Sequence, residues 1–200
     1  MGLFKSGIIL KDRVFVPDYD HHTEMLEELK IKDTEKNAQN LFVRAELIPE
    51  NGDVFTPIET WRFNVDQDIV PDWFVAEYER ERMVAAVKEW AKSHIHIGKD
   101  NLVIDAGRNH YIKDCKNVVI KGSASISKVC DSASISEVCG SAMIASSPYS
   151  NWSNKDKVII SENATIKDNQ TKTIWQSGDW KVQMVNTEEN NEQIFKRNCR

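Results

Sequence analysis

"SASISKVCDSASISEVCGSAMI", residues 123–144, states a nine-residue phrase twice and begins it a third time. Aligned on its apolar positions, Ile120, Val129 and Val138 recur every nine residues, and so do Ile126, Ile135 and Ile144. Ala124, Ala133 and Ala142 keep the same register, and the units end in Gly122, Asp131 and Gly140. Upstream, DCKNVVIKG (114–122) fits as a degenerate first unit. Downstream, VIISENATIK (158–167) restates VVIKGSASIS (118–127). A unit this short cannot bury its apolar side chains alone and has to stack on its neighbours. The pattern therefore predicts a short β-helix, or solenoid, over residues 99–185. The same stretch also parses in sixes, with Ile120, Ile126, Ser132, Val138 and Ile144 as the recurring position, which predicts a left-handed hexapeptide coil. A plain antiparallel sheet is the remaining alternative.

Residues 1–98 read differently, as an α+β domain. SGIILKDRVFV carries two apolar runs around Lys11 and Asp12 and suits a hairpin. From Asp20, taken as an aspartate cap, Met25, Leu26 and Leu29 fall on one side of a short helix. NLFVRAELIPENGDVF predicts a strand, an Asn-Gly turn at 51–52 and a returning strand, and TWRFNV a third strand with Trp61, Phe63 and Val65 inward. VPDWFVAEYERERMVAAVKEWAKSH is the clearest helix, with Asp72 as cap and a stripe through Phe74, Tyr78, Val84, Val87 and Trp90. It should pack on the sheet, with Trp61, Trp73 and Trp90 as core or core edge.

The totals set bounds on function. Hydrophobic residues make up 40% and charged residues 28% of the 200, ordinary values for a globular protein. No apolar run approaches the roughly 20 residues of a membrane span, and without a charged start followed by a long apolar segment and a cleavage site no leader is expected. The expected location is the cytoplasm. Four cysteines without a Cys-x-x-Cys pair suit reduced thiols. The net charge of −5 is uneven: residues 1–100 hold 20 of 31 acids but 13 of 26 bases, which argues against wholesale phosphate binding.

The repeat is interrupted by residues 145–157, a serine- and asparagine-rich loop that presents Tyr149 and Trp152 beside Lys155 and Lys157. Insertions in solenoids emerge on one face, often the binding face, so these four are the expected partner-binding residues, for a protein or for stacking on single-stranded nucleic acid. TIWQSGDWKVQMV predicts a hairpin around Ser177–Asp179, and residues 186–200 read as a polar tail.

Chemistry is sparse. Asp18, Asp20, His21, His22 and Glu24 offer ligand types without a diagnostic spacing, and HIHIG places His94 and His96 on one face of what reads as a surface strand edge. Cys130 and Cys139 recur because the unit recurs and suit packing. The phosphate loop, the His-Glu-x-x-His helix and the Gly-x-Ser-x-Gly elbow are missing. No catalytic residue, metal or cofactor is expected.

Taken together, DHHTEMLEELKI, NGDVF, TWRFNVDQDIVPDWF, VKEWAKSHIHI, YIKDCKNV and the repeats resemble uncharacterised proteins of bacteriophages and prophages of Bacteroidetes-type bacteria. Those proteins join an N-terminal module to variable numbers of short repeats, often richer in Asn-Ala-Thr or Ser-Ser-Gln than the units here. The resemblance implies a non-catalytic interaction protein acting on a host protein or ribonucleoprotein, in its most concrete form an inhibitor of a host defence nuclease of anti-CRISPR type, with RNA contact as a sub-question. Two other expectations stand beside it: a hexapeptide-repeat acyltransferase with His110 as base, and a structural or carbohydrate-binding solenoid of a virion.

Overall fold

The computed structural model describes residues 4–146, 158–168 and 173–176, which form a mixed α+β molecule dominated by sheets. Strand β1 (Lys5–Leu10) pairs antiparallel with β2 (Val14–Phe15) through the expected hairpin, closed by Leu10 N donating to Arg13 O at 2.8 Å. On its other side β1 pairs antiparallel with β3 (Phe42–Ile48), and β3 with β4 (Arg62–Val65), giving the order β2-β1-β3-β4. All six residues of β1 are buried because both faces of this sheet are covered. Helices α1 (His22–Glu28) and α2 (Glu35–Ala38) close one face over Ile8, Leu10 and Phe42. The long helix α3 (Ala76–His94) closes the other, over Ile9, Val43, Ala45 and Leu47. The alternation of β3 thus sends Val43, Ala45 and Leu47 toward α3 and leaves Arg44 and Glu46 on the α1 face.

Several local expectations change. Asp20 does not cap α1: its Oδ1 accepts from Lys5 Nζ at 2.5 Å and from Ser6 N at 3.1 Å, and His21 holds the cap position without a side-chain bond. Asp72 does not cap α3 either, since the helix begins one turn later, after Val75. Asn51 and Gly52, at φ 54° and 69°, form a short 3-10 turn with no strand returning at once; β4 is the partner that comes back to β3. The stripe of α3 runs through Met83, Val84, Val87 and Trp90, while Tyr78 is 59% exposed. Trp61 and Trp90 are buried and Trp73 packs at the edge of the same core.

From the end of α3 the chain changes to parallel pairing. One sheet contains β5 (Ile95–Ile97), β7 (His110–Lys113), β9 (Ser125–Cys130), β11 (Met143–Ser146) and β13 (Thr165–Asp168), neighbours in that order and all parallel. The other contains β6 (Val103–Ile104), β8 (Val118–Ile120), β10 (Ile135–Val138) and β12 (Ile159–Ile160), again parallel. The chain alternates between the two. Ile126 pairs with Ile144 and Ile120 with Val138, so strands that are neighbours in space lie two repeat units apart in the chain. Between β11 and β13 the spacing is longer, because Met143 pairs with Thr165, and the added length falls in the interrupting loop. Finally β14 (Thr173–Gln176) pairs antiparallel with β13. The first parallel strand, Ile95–Ile97, precedes the expected boundary at residue 98, and Tyr111 of β7 is buried in the core of α3, which ties the two regions together.

Every aliphatic and alanine position of the nine-residue alignment is buried: Ile120, Val129, Val138, Ala124, Ala133, Ala142, Ile126, Ile135 and Ile144 are all at most 1% exposed. The six-residue parse fails at Ser132, which is exposed and bonded to Asp114 at 2.7 Å instead of filling an aliphatic slot. The unit-ending residues take left-handed backbone: Gly122 (φ 61°), Asp131 (φ 58°) and Gly140 (φ 71°). On one corner the turns stack so closely that a Cβ on Gly122 would lie 2.2 Å from Asp105 O, and one on Gly140 would lie 2.8 Å from Gly122 N. On the other corner side chains do the fastening, with Ser132 N and Oγ donating to Asp114 and Lys113 paired with Asp131 at 3.3 Å.

Candidate functional site

Three histidines converge where the two regions meet. His94 ends α3, His96 lies on β5 and His110 opens β7; each is 5% exposed, which overturns the surface-edge reading of HIHIG. Strand alternation explains the burial. Ile95 and Tyr111 are paired and face the α3 core, so His96 and Ile112, paired next to them, take the opposite face, which lines the core of the repeats. His110 follows the same face, opposite Ile126. Imidazoles therefore occupy the end of a column that is aliphatic from Ile112 onward.

The rings stack in sequence. Trp90 lies on His94 with centroids 4.5 Å apart, His94 on His110 at 4.9 Å, and His110 on His96 at 5.5 Å. Lysines hold both ends. Lys5 Nζ stands 5.1 Å from the Trp90 ring centre, and Lys99 Nζ lies 3.3 Å from His96 Nδ1. Only one assignment of protons satisfies this end of the column: Lys99 donates to His96 Nδ1, His96 Nε2–H donates to His110 Nδ1 at 3.3 Å, and His110 Nε2–H donates to Ala106 O at 2.8 Å. Both imidazoles are then neutral. Burial, aided by Lys99 and the neighbouring histidines, pushes His96 down to about 4, and burial lowers His110 despite its bond to Ala106. At His94, Nδ1 faces Trp90 O at 2.7 Å and Nε2 faces Asp18 Oδ1 at 3.0 Å, so both nitrogens look at oxygen acceptors. Lys5 is lowered by its burial, with Asp20 opposing the effect, and it also donates to Tyr19 O at 2.9 Å.

Beside the column opens a cleft of about 700 Å³ lined by Phe15, Pro17, Asp18, Tyr19, Arg108 and Ser123 among others. Asp18 belongs to both the cleft and the column. Asn109 Nδ2 donates to Asp18 O at 2.8 Å, fastening the segment after β2 to the loop before β7. Gly107 is required there: a Cβ would lie 2.8 Å from His110 Nε2. The arrangement fixes the junction and buries two neutral imidazoles, His96 and His110. It does not offer His110 as an accessible base, because both of its ring nitrogens are engaged and the residue is buried.

A second cleft, of about 680 Å³, lies on the α1 face and is lined by Asp20, His21, His22, Asp33, Arg44, Glu46 and Asp66 among others. The serial cluster Asp18 to Glu24 is split up: Asp18 goes to His94, Asp20 to Lys5, and His22 turns to Glu46 and Asp66. Those two partners come from β3 and from the residue after β4, too far along the chain for any local motif to reveal. Cys130 packs as expected, and its burial pushes the thiol up to about 11. Tyr149, Trp152, Lys155 and Lys157 lie outside the described residues, as do the hairpin around 177–179 and the tail from 186. No helix among the described residues is long and apolar enough to cross a membrane. Comparison with protein-family models, curated proteins and solved structures finds no match for this chain.

Proposed function

We propose that the chain is a non-catalytic interaction protein whose parallel region is a β-helix, two repeat units to the turn, acting as a rigid platform for a host protein. The observation that carries this reading is one row of outward side chains. Val103, Val119, Glu137 and Ile159 are successive partners across β6, β8, β10 and β12, three aliphatic residues of four, with Val103 53% and Ile159 64% exposed. At about 4.8 Å per strand the row is roughly 14 Å long and held by parallel ladders. Aliphatic surface on a rigid scaffold is what a protein interface uses for its centre, and this row is broken once, by Glu137. The row ends at Ile159, just after Lys157 in the chain, so Tyr149, Trp152, Lys155 and Lys157 belong to the segment that leads into it.

The resemblance to phage and prophage proteins directs the choice of partner to a host defence nuclease, including one that works as a ribonucleoprotein in the cytoplasm. The test is capture of host proteins by the tagged chain, followed by a nuclease assay on the captured complex. Wild type should retain a nuclease and reduce its cleavage; Val103→Lys with Ile159→Lys, and separately Trp152→Ala, should release it. Absence of any retained nuclease, or retention unchanged in all these variants, would remove the reading. Loss of binding with salt only for complexes that contain RNA would assign the contact to phosphate.

A further inference from the structure

We infer that His22, Glu46 and Asp66 form a binding site for one divalent first-row transition cation, of the zinc or manganese kind, that clamps α1 to the sheet. The three residues come from three elements: the first residue of α1, the α1 face of β3, and the residue after β4. Their donor atoms all lie within 4.8 Å of one another. His22 Nδ1 and Asp66 Oδ2 are 3.1 Å apart. Two ligands about 2.1 Å from a common ion at roughly 90° would be about 3.0 Å apart, so this spacing already suits adjacent positions in a coordination sphere.

The surroundings of the three side chains suit a bound cation. The side chain of His22 is nine-tenths buried, and its Nε2 lies 3.3 Å from Ala45 O, an atom that can only accept. With Nε2 turned to Ala45 O, Nδ1 is the ring atom that faces the Asp66 carboxylate. A metal ion ligated by Nδ1 and the carboxylate is compatible with this arrangement, as is a proton between them, and a backbone carbonyl behind the ring is the usual outer support of a metal-bound histidine. Glu46 has similar support, since Asn64 Nδ2 donates to its Oε2 at 3.1 Å from the paired position on β4. The backbone of Asp66 is fixed by its N donating to Arg44 O at 2.9 Å. Two nearby cations have other carboxylate partners, Arg44 pairing with Asp33 and Lys5 with Asp20. One imidazole and two carboxylates suit zinc, manganese or cobalt; calcium would want six or more oxygens.

The experiment is titration of the metal-free full chain with Zn²⁺, Mn²⁺ and, as a spectroscopic probe, Co²⁺, read by calorimetry, by visible absorption of cobalt and by Tm. One equivalent should bind with a rise in Tm. His22→Ala and Asp66→Asn should each weaken binding by about tenfold or more, while His96→Leu, in the buried column, should leave it intact. Asp66 is half-exposed beyond the end of a strand, so Asp66→Asn keeps the test open if His22→Ala fails to fold. No saturable binding below about 1 mM, a Tm indifferent to metal, or binding unchanged in both variants would overturn the site; a His22 proton shared with Asp66 would then account for the 3.1 Å contact.

Discussion

At the scale of single residues, the left-handed corners and the buried imidazoles make the sharpest demands. Gly122 answers two requirements at once, a φ of 61° and an approach that leaves no room for a Cβ beside Asp105 O. Gly52 has a similar φ, 69°, but open space around it. Gly52→Ala should therefore cost only the conformational term, about 1 kcal/mol, whereas Gly122→Ala should add the collision and cost about 2–4 kcal/mol, measured by urea denaturation of the two variants side by side. That Gly122 ends a unit is visible in the sequence; that Asp131, with a Cβ, can end the next one is explained only by the second corner, which is fastened by side chains instead of close backbone contact. His96 sets a pH dependence. Its folded value near 4 lies below the ordinary 6.5, so the unfolded chain binds the extra proton first. The stability that neutral His96 contributes is complete above pH 6.5 and is lost as pH falls through about 4, by up to roughly 3 kcal/mol. Unfolding free energies at pH 7 and pH 4.5 should differ less for His96→Leu than for wild type. HIHIG was legible as two histidines on one face, but burial was not. The residues that cover them, Trp90 and His110, sit on α3 and on β7, a strand the chain reaches only after it has crossed to the other sheet and back.

At the scale of elements, apolar periodicity located β1, β2, β3, β4, α1 and α3, and it erred where a polar residue near a helix start was read as a cap. Asp20 precedes a helix and still spends its carboxylate on Lys5, because β1 is covered on both faces and its ammonium, 2% exposed, needs a counter-charge more than the helix needs a cap. This pair ties β1 to the segment leading into α1, and its removal should show strong coupling. Asp20→Asn leaves a buried ammonium without a carboxylate and should cost about 3–4 kcal/mol. Lys5→Met keeps the apolar stem on Trp90, and the double variant should recover part of the loss, since both charges leave together. A double-mutant cycle by chemical denaturation measures the coupling; simple additivity would mean that Tyr19 O and the Trp90 face suffice to hold the ammonium. The same reasoning explains Arg82, which reaches from α3 to Leu10 O at 3.1 Å and to buried Glu79 at 2.8 Å, a link that the helical stripe alone does not announce.

At the scale of the whole molecule, the repeat is written one unit at a time and paired two units at a time, and the difference decides what the chain tolerates. With each unit the chain moves to the other sheet, so a unit finds its spatial neighbour only two units on, as Ile120 finds Val138 and Ile126 finds Ile144. The core positions are interchangeable between units, which is why the nine-residue period is so clear, but the corners are not. Gly122 and Gly140 stack against each other, while Asp114 and Ser132 are joined on the opposite side. Deleting residues 123–140 removes two units together, joins Gly122 to Ser141, and returns every later strand to its own sheet and every corner to its own kind. Deleting 123–131 gives an equally smooth local junction but moves all later strands to the wrong sheet and sets Gly140 over the Asp114 corner. The longer deletion should fold with one cooperative transition at a modestly lower Tm. The shorter one should lose cooperativity or remain unfolded, with circular dichroism and thermal unfolding as the measurements. If the nine-residue deletion proved the better tolerated, the two corners would be equivalent, and the close contact of Gly140 with Gly122 would have no bearing on the register in which the repeats assemble.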